Sequence, residues 1–215
     1  MWDQNDQQNY NFHLHHRIGQ ISNDSFSREI EKYASNPLYK SFLEVGTWNG
    51  LGSTKAFFCG LKSREDDYVF YSLECNKHKH EFAKNLYKFC PKMHLLNEVI
   101  WNQQPLDFYD IFPQCRDHSL YAHWHEVDMI NMQQCQLFLN REEIPEIFDV
   151  VLLDGGEFTT YHEFQLLKNR CKILMLDDIN VDKCKLIVRE IYADRKWKII
   201  KTDTVRNGYL IAERI

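Results

Sequence analysis

Two short runs, "DVVLL" (149–153) and "ILML" (173–176), constrain this chain more than anything else in it. Neither alternates apolar with polar residues, so as strands both must be buried on two faces. That demands a sheet covered by helices on each side. The surrounding sequence supplies both kinds of element. "SFLEVG" (41–46), "DYVFYSLE" (67–74), "MHLLNEVI" (93–100), "FDVVLLDG" (148–155) and "KILMLDD" (172–178) read as strands. "WKIIKTDT" (197–204) and "YLIAERI" (209–215) read as two more, joined by "VRNG", an Asn-Gly hairpin signal. Between them lie the helical stretches "GSTKAFFCGLK", "NKHKHEFAKNLYKFC" (stopped by Pro91), "TYHEFQLLKNRC" with a Thr160–Glu163 capping box, and "DKCKLIVREIYADR". Alternation of this kind predicts an α/β fold: a Rossmann-like, doubly wound, seven-stranded, mostly parallel sheet whose C-terminal hairpin adds an antiparallel strand.

The organisation follows from where that rhythm begins and lapses. Residues 1–37 form an N-terminal arm and one helix, capped by Asp24 or Ser25, running through Tyr33 and ended by Asn36-Pro37. The run His13, His15 and His16 in the arm reads either as a metal-binding tract or as solvated side chains. Residues 38–215 form a single domain interrupted at 101–147 by an insertion with one helix, around Glu126 to Leu139. A net charge of −5 gives no reason to expect a nucleic-acid or acidic-membrane partner through bulk electrostatics, and no apolar run approaches a membrane span. The polar start resembles neither a signal nor a transit peptide, and seven scattered cysteines without a CxxC read as reduced thiols, so the expected location is cytoplasmic.

Ligands of an open parallel sheet sit at the C-terminal ends of its strands. There the sequence places Glu44, Gly46, Gly50 and Gly52, then Glu74, then Asp154 and Glu157, then Asp177 and Asp178. Glycines at a strand-to-helix turn let backbone approach a ligand and aim amide N–H groups at it. An acid about 20 residues on, Glu74, is placed to accept hydrogen bonds from two ribose hydroxyls. Glu44, just ahead of the glycines, is an awkward neighbour for a pyrophosphate and a suitable one for a cation.

The spacing Glu44-x-Gly46-x3-Gly50-x-Gly52 followed by Glu74 resembles motifs I and II of class I S-adenosylmethionine-dependent methyltransferases. The resemblance spans about 170 residues, from Leu43 to the C-terminal hairpin. It implies cofactor binding by Glu44, Gly46, Thr47, Asn49, Gly50, Gly52, Ser53, Glu74 and Asp154. "LLDGGEF" and "MLDDIN" are similar to the strand ends of metal-dependent O-methyltransferases of the catechol and macrolide-sugar types. That similarity implies a divalent cation, Mg²⁺, on Asp154, Asp177 and Asp178, with Asp154 and Glu157 as catalytic residues. Glu157 stands where the family commonly carries a Lys or His base, and His162 is an alternative. Read from the residues alone, Asp154 is equally a structural acid, and Asp177 or Asp178 a cap for the helix near Val181, so metal use stays open.

The implied activity is methylation of a hydroxyl on a small molecule or sugar. The insertion and arm would cover the rim, with His123, Trp124, His125, Glu126 and Asp128 gripping the acceptor or forming an ordinary helix start. The sequence contains no DPPY or NPPY, which argues against methylation of DNA bases. A short-chain dehydrogenase reading needs Tyr-x3-Lys near the ligand edge, and the pair here, Tyr192 and Lys196, lies beside the final hairpin. A catalytically silent cofactor-binding or protein-interaction module on the same fold, and assembly as a homo-oligomer, both stay open.

Overall fold

The computed structural model describes residues 20–103 and 107–215. The histidine run and most of the N-terminal arm lie outside the described residues. In chain order the elements are α1 (Ser25–Ser35), β1 (Ser41–Val45), α2 (Ser53–Leu61), β2 (Val69–Leu73), α3 (Lys77–Tyr87), β3 (Met93–Leu96), β4 (Glu98–Val99), α4 (Phe108–Ile111), α5 (Ser119–Gln133) and β5 (Gln136–Leu137). There follow β6 (Phe148–Leu153), α6 (Thr160–Leu167), β7 (Cys171–Asp177), α7 (Asp182–Ala193), β8 (Trp197–Asp203) and β9 (Tyr209–Arg214). No helix among the described residues is long and apolar enough to cross a membrane. The seven cysteines are all free thiols.

Seven strands make one sheet in the order β3-β2-β1-β6-β7-β9-β8. β3, β2, β1, β6 and β7 pair in parallel, while β9 is antiparallel to both β7 and β8. The expected α/β architecture is therefore present. The two apolar runs do lie at its centre: every residue of β6 is buried, and its alternate side chains serve opposite layers. Val151 and Leu153 face a core that includes Phe164 and Leu167 of α6 and Ile187 and Ile191 of α7. Val150 and Leu152 face a second core with Phe57 and Leu61 of α2. Helix α1 belongs to that second core through Phe26, Ile30 and Ala34, all fully buried. Its start is fixed by a reciprocal cap: the Ser27 amide donates to Asp24 Oδ1 at 2.7 Å, and the Asp24 amide to Ser27 Oγ at 2.9 Å.

Three local expectations differ from the structure. The stretch 93–100 is not one strand. Asn97 Nδ2 donates to the carbonyls of Glu74 (2.8 Å) and Cys75 (3.0 Å), turning the chain after Leu96, and β4 then pairs with β5 in a separate two-stranded sheet. The insertion helix starts at Ser119 and ends at Gln133, not at Glu126 and Leu139. The apolar "QLFL" that prolonged it in sequence is β5 followed by a turn that buries Phe138 completely. Finally, the residue preceding α6 is Thr159 rather than Thr160. Thr159 Oγ1 donates to Glu163 Oε1 at 3.0 Å, whereas the Thr160 hydroxyl is spent on the Gly156 carbonyl at 2.8 Å.

From β1 the chain steps outward to β2 and β3, then returns to place β6 on the other side of β1. The loops after β1 and β6 therefore diverge, and this topological switch point is where a crevice opens.

Candidate functional site

A cavity of about 670 Å³ occupies that crevice. The turn after β1 forms one wall with Gly46, Thr47, Trp48, Gly52 and Ser53. Gly46 has φ of +100°, and a Cβ there would stand 2.1 Å from the Asp154 carbonyl oxygen, so the close approach of β1 and β6 requires glycine. Gly50, with φ of +75°, packs against Ala83 and Tyr87 of α3, and Tyr87 Oη donates to its carbonyl at 2.6 Å. Asn49 is buried and accepts from the Leu51 amide at 3.0 Å, which shapes the turn. Gly46 and Gly52 thus face the cavity, while Asn49 and Gly50 stand behind it.

Glu44 also lies beneath the turn rather than on the cavity wall. It is fully buried; its Oε2 accepts from Thr54 Oγ1 at 2.7 Å and Ser72 Oγ at 2.5 Å, and its Oε1 has no partner. Burial pushes its carboxyl up to about 7. Glu74, at the end of β2, does reach the cavity. Its Oε2 accepts from the Trp48 amide at 2.7 Å and its Oε1 from the Asn76 amide at 2.8 Å. Two backbone donors fix the carboxylate, and the Cys75 thiol lies 3.9 Å from Oε1, so Oε2 keeps a second lone pair for a ligand.

The opposite wall comes from β6, β7 and their helices. Asp154, Gly155, Gly156, Glu157, Asp178 and Lys183 line it. Asp154, Asp177 and Asp178 each bring an oxygen within 4.8 Å of the others. Neither aspartate caps α7, which begins behind Val181 without a side-chain cap. Burial pushes Asp154 above the usual carboxylate range, with Lys183 pulling against it and Asp177 and Asp178 adding to the rise. Glu157 is raised too, chiefly by burial, and its Oε2 is buried without a partner. His162 is stacked on Trp101 at 4.6 Å and is not among the cavity-lining residues.

Several residues of the site were not picked out in sequence. Lys183 ion-pairs with Asp178 (2.8 Å) and Asp154 (3.4 Å). Glu163, fully enclosed on α6, leaves Oε2 without a partner and is pushed up to about 7 by burial. Both sit on the inward stripes of their helices, Lys183 with Cys184, Ile187 and Ile191, and Glu163 with Thr160, Phe164 and Leu167. A charged residue on an apolar stripe is a legible signal. Of the set His123, Trp124, His125, Glu126 and Asp128 read in sequence, Asp128 alone lines the cavity, where Met132 of α5 joins it. Burial takes Asp128 up to about 7. Of the neighbouring set, Trp124 is largely exposed and His125 lies edge-on to Phe158 at 4.9 Å; neither lines the cavity.

The donor set has a clear charge preference. Glu74, Glu98, Asp128, Asp154, Glu157, Glu163 and Asp178 face the cavity, against Lys79 and Lys183. Such walls suit a cation and offer a pyrophosphate little.

No protein-family model and no curated protein matches the chain in sequence. Solved structures do match in fold. The O-methyltransferase from Bacillus cereus in complex with SAH superimposes with a TM-score of 0.58 at 12% identity, over 100% of this chain and 92% of that one. TomG from Streptomyces achromogenes, an O-methyltransferase of tomaymycin synthesis in complex with SAM, gives 0.59 at 11% identity, over 100% and 91%. The SAH-bound methyltransferase PaMTH1 from Podospora anserina gives 0.57 at 9%, over 100% and 89%. The chain has their fold. On this methyltransferase fold, the cavity lies at the switch point, where the ends of β1, β2, β6 and β7 meet.

Proposed function

We propose that this protein is an S-adenosylmethionine-dependent methyltransferase acting on a hydroxyl of a small molecule or sugar. The observation that carries the reading is the acid-walled cavity at the switch point, with the Glu74 carboxylate held by two backbone amides at the end of β2. Its volume lies within the roughly 300–1,000 Å³ of ordinary ligand sites. A cofactor with a sulfonium, an ammonium, a free ribose and no phosphate matches walls rich in carboxylates. The free thiols fit a reducing, cytoplasmic setting.

When bound, the cofactor supplies an electrophilic methyl group, whose bond pair stays with sulfur as the methyl leaves. Glu74 would accept hydrogen bonds from the ribose hydroxyls. Gly46, Thr47, Gly52 and Ser53 would face the amino-acid arm, while Glu44, Asn49 and Gly50 fix the turn that presents them. Asp154, on the opposite wall, would border the bound cofactor. Glu157 would take the proton of the acceptor hydroxyl during methyl transfer; its raised affinity for protons and its unpartnered Oε2 suit a general base. The acceptor would gain the methyl group and Glu157 the proton, so atoms and charge balance.

The residues present do not favour a divalent cation. An ion bridging Asp154 and Asp178 would claim the position the Lys183 ammonium holds, and both oxygens of Asp177 already accept from Arg206 Nη1, at 3.0 and 2.9 Å.

Titration calorimetry with S-adenosylmethionine and S-adenosylhomocysteine tests the reading. Saturable micromolar binding supports it; absence of binding of either compound refutes it. Binding without turnover across a panel of hydroxylated acceptors would favour a silent cofactor-binding module.

A further inference from the structure

We propose that the ammonium of Lys183 is a built-in cation that takes the seat a divalent metal would otherwise fill between Asp154 and Asp178. Lys183 is a positioning residue on the first turn of α7, and only 6% of it is exposed. Its Nζ donates to Asp178 Oδ2 at 2.8 Å, to Asp154 Oδ1 at 3.4 Å and to the Gly155 carbonyl at 3.2 Å. An ammonium has three N–H groups, and these three acceptors use them all. The nitrogen bridges two carboxylates from different strand ends, which is the position a hard cation would take with oxygens at about 2.0–2.1 Å.

The third acid is closed separately. Asp177 is fully buried, and its two oxygens face the Arg206 guanidinium, which also binds Asp24 through Nε at 2.8 Å. Each cation is thus matched inside the cluster, and a divalent ion entering beside an enclosed ammonium would meet like charge in a poorly hydrated site. Displacing Lys183 would also strand a buried charge, because the helix stripe that carries it is packed in the core through Cys184, Ile187 and Ile191.

The assignment stands on side-chain geometry; only its consequence, methyl transfer without a divalent ion, rests on the activity proposed above. Two measurements separate them. Electron paramagnetic resonance of Mn²⁺ mixed with the whole protein reads metal binding directly, independently of cofactor or turnover. The wild type is expected to leave millimolar Mn²⁺ free. Lys183→Met removes the ammonium while keeping the stem, and is expected to tighten Mn²⁺ binding about 10- to 100-fold, the scale on which groups just outside a metal's ligands act. Lys183→Met combined with Asp178→Asn should lose that gain. A stoichiometric Mn²⁺ site in the wild type that Asp178→Asn abolishes would overturn the proposal, and this test does not depend on the lysine variant folding. A folded Lys183→Met protein, verified by circular dichroism, that gains no Mn²⁺ affinity would also overturn it. Calorimetry with S-adenosylhomocysteine in EDTA reports separately on the cofactor reading.

Discussion

The sharpest test of the cofactor reading is Glu74→Gln. In the structure both oxygens of Glu74 accept a backbone N–H, from Trp48 at 2.7 Å and Asn76 at 2.8 Å. The substitution keeps one oxygen acceptor and puts an NH₂ where the other amide donates, so it removes the charge and one of the two ligand-facing acceptors. A hydrogen bond to a charged group contributes roughly 1.5–3 kcal/mol. Loss of one such bond, with the second weakened, raises the Kd for S-adenosylhomocysteine about 10- to 100-fold. The thioether product is the better ligand here, because it lacks the sulfonium and isolates the ribose contribution. Calorimetry should be repeated with its 2′-deoxy analogue. If Glu74 acts through the ribose hydroxyls, the deoxy compound binds the wild type more weakly and loses much less on mutation. Binding of the variant within twofold of wild type refutes the assignment. An undiminished penalty with the deoxy analogue refutes it too, since Glu74 would then act only by shaping the turn.

Other expectations follow from the same geometry. Glu157→Gln should lower kcat by about 10²- to 10⁴-fold, the usual range for a general base, while leaving S-adenosylhomocysteine affinity unchanged by calorimetry. Glu163 is held at about 7 by burial against an ordinary value of 4.5, so the folded state keeps its proton longer than the unfolded chain. Stability should therefore fall as pH climbs between those two values and level off above, by an amount on the order of 3 kcal/mol. In urea melts Glu163→Gln should flatten that slope and stabilise the protein at pH above 7; an unchanged slope would exclude Glu163 as its source. Gly46→Ala should cost at least about 3 kcal/mol, from the positive φ and from displacement of the Asp154 backbone, read as a lower urea midpoint.

Which parts of this were legible in the sequence has a physical basis. Central strands declared themselves because burial on both faces leaves no alternative to an unbroken apolar run, as in β6 and β7. The acids at the ends of β1, β2, β6 and β7 were legible for the converse reason: a carboxylate next to such a run must have a use. What sequence alone obscured was whatever depends on partners distant in the chain. Asn97 ends β3 by bonding carbonyls 22 and 23 residues earlier, so "LLNEVI" looked continuous. Phe138 looked helical because its apolar neighbours continue the spacing of α5, yet it is drawn into the core beside Tyr71 and Phe148. Lys183 carried a signal, a lysine on a buried stripe, but its meaning needed the fold to bring it to Asp154, 29 residues away.

Asp177 carries the point one step further. At the end of β7 it has the sequence position of a ligand-facing acid, and it lies within reach of Asp154 and Asp178. Its chemistry is nevertheless directed away from the cavity, which it does not line. The hairpin joining β8 to β9 holds Arg206 at φ of +54°, and from that turn the guanidinium spans Asp177 on the sheet and Asp24 at the cap of α1. One side chain thereby ties the antiparallel edge, the central sheet and the N-terminal helix together. Removing it would leave Asp177 as a buried carboxylate without its counter-charge, an arrangement that typically costs about 3–5 kcal/mol. The same acid would then be free to face a cation. The antiparallel hairpin thus completes the sheet and also decides which strand-end carboxylates remain available to a ligand.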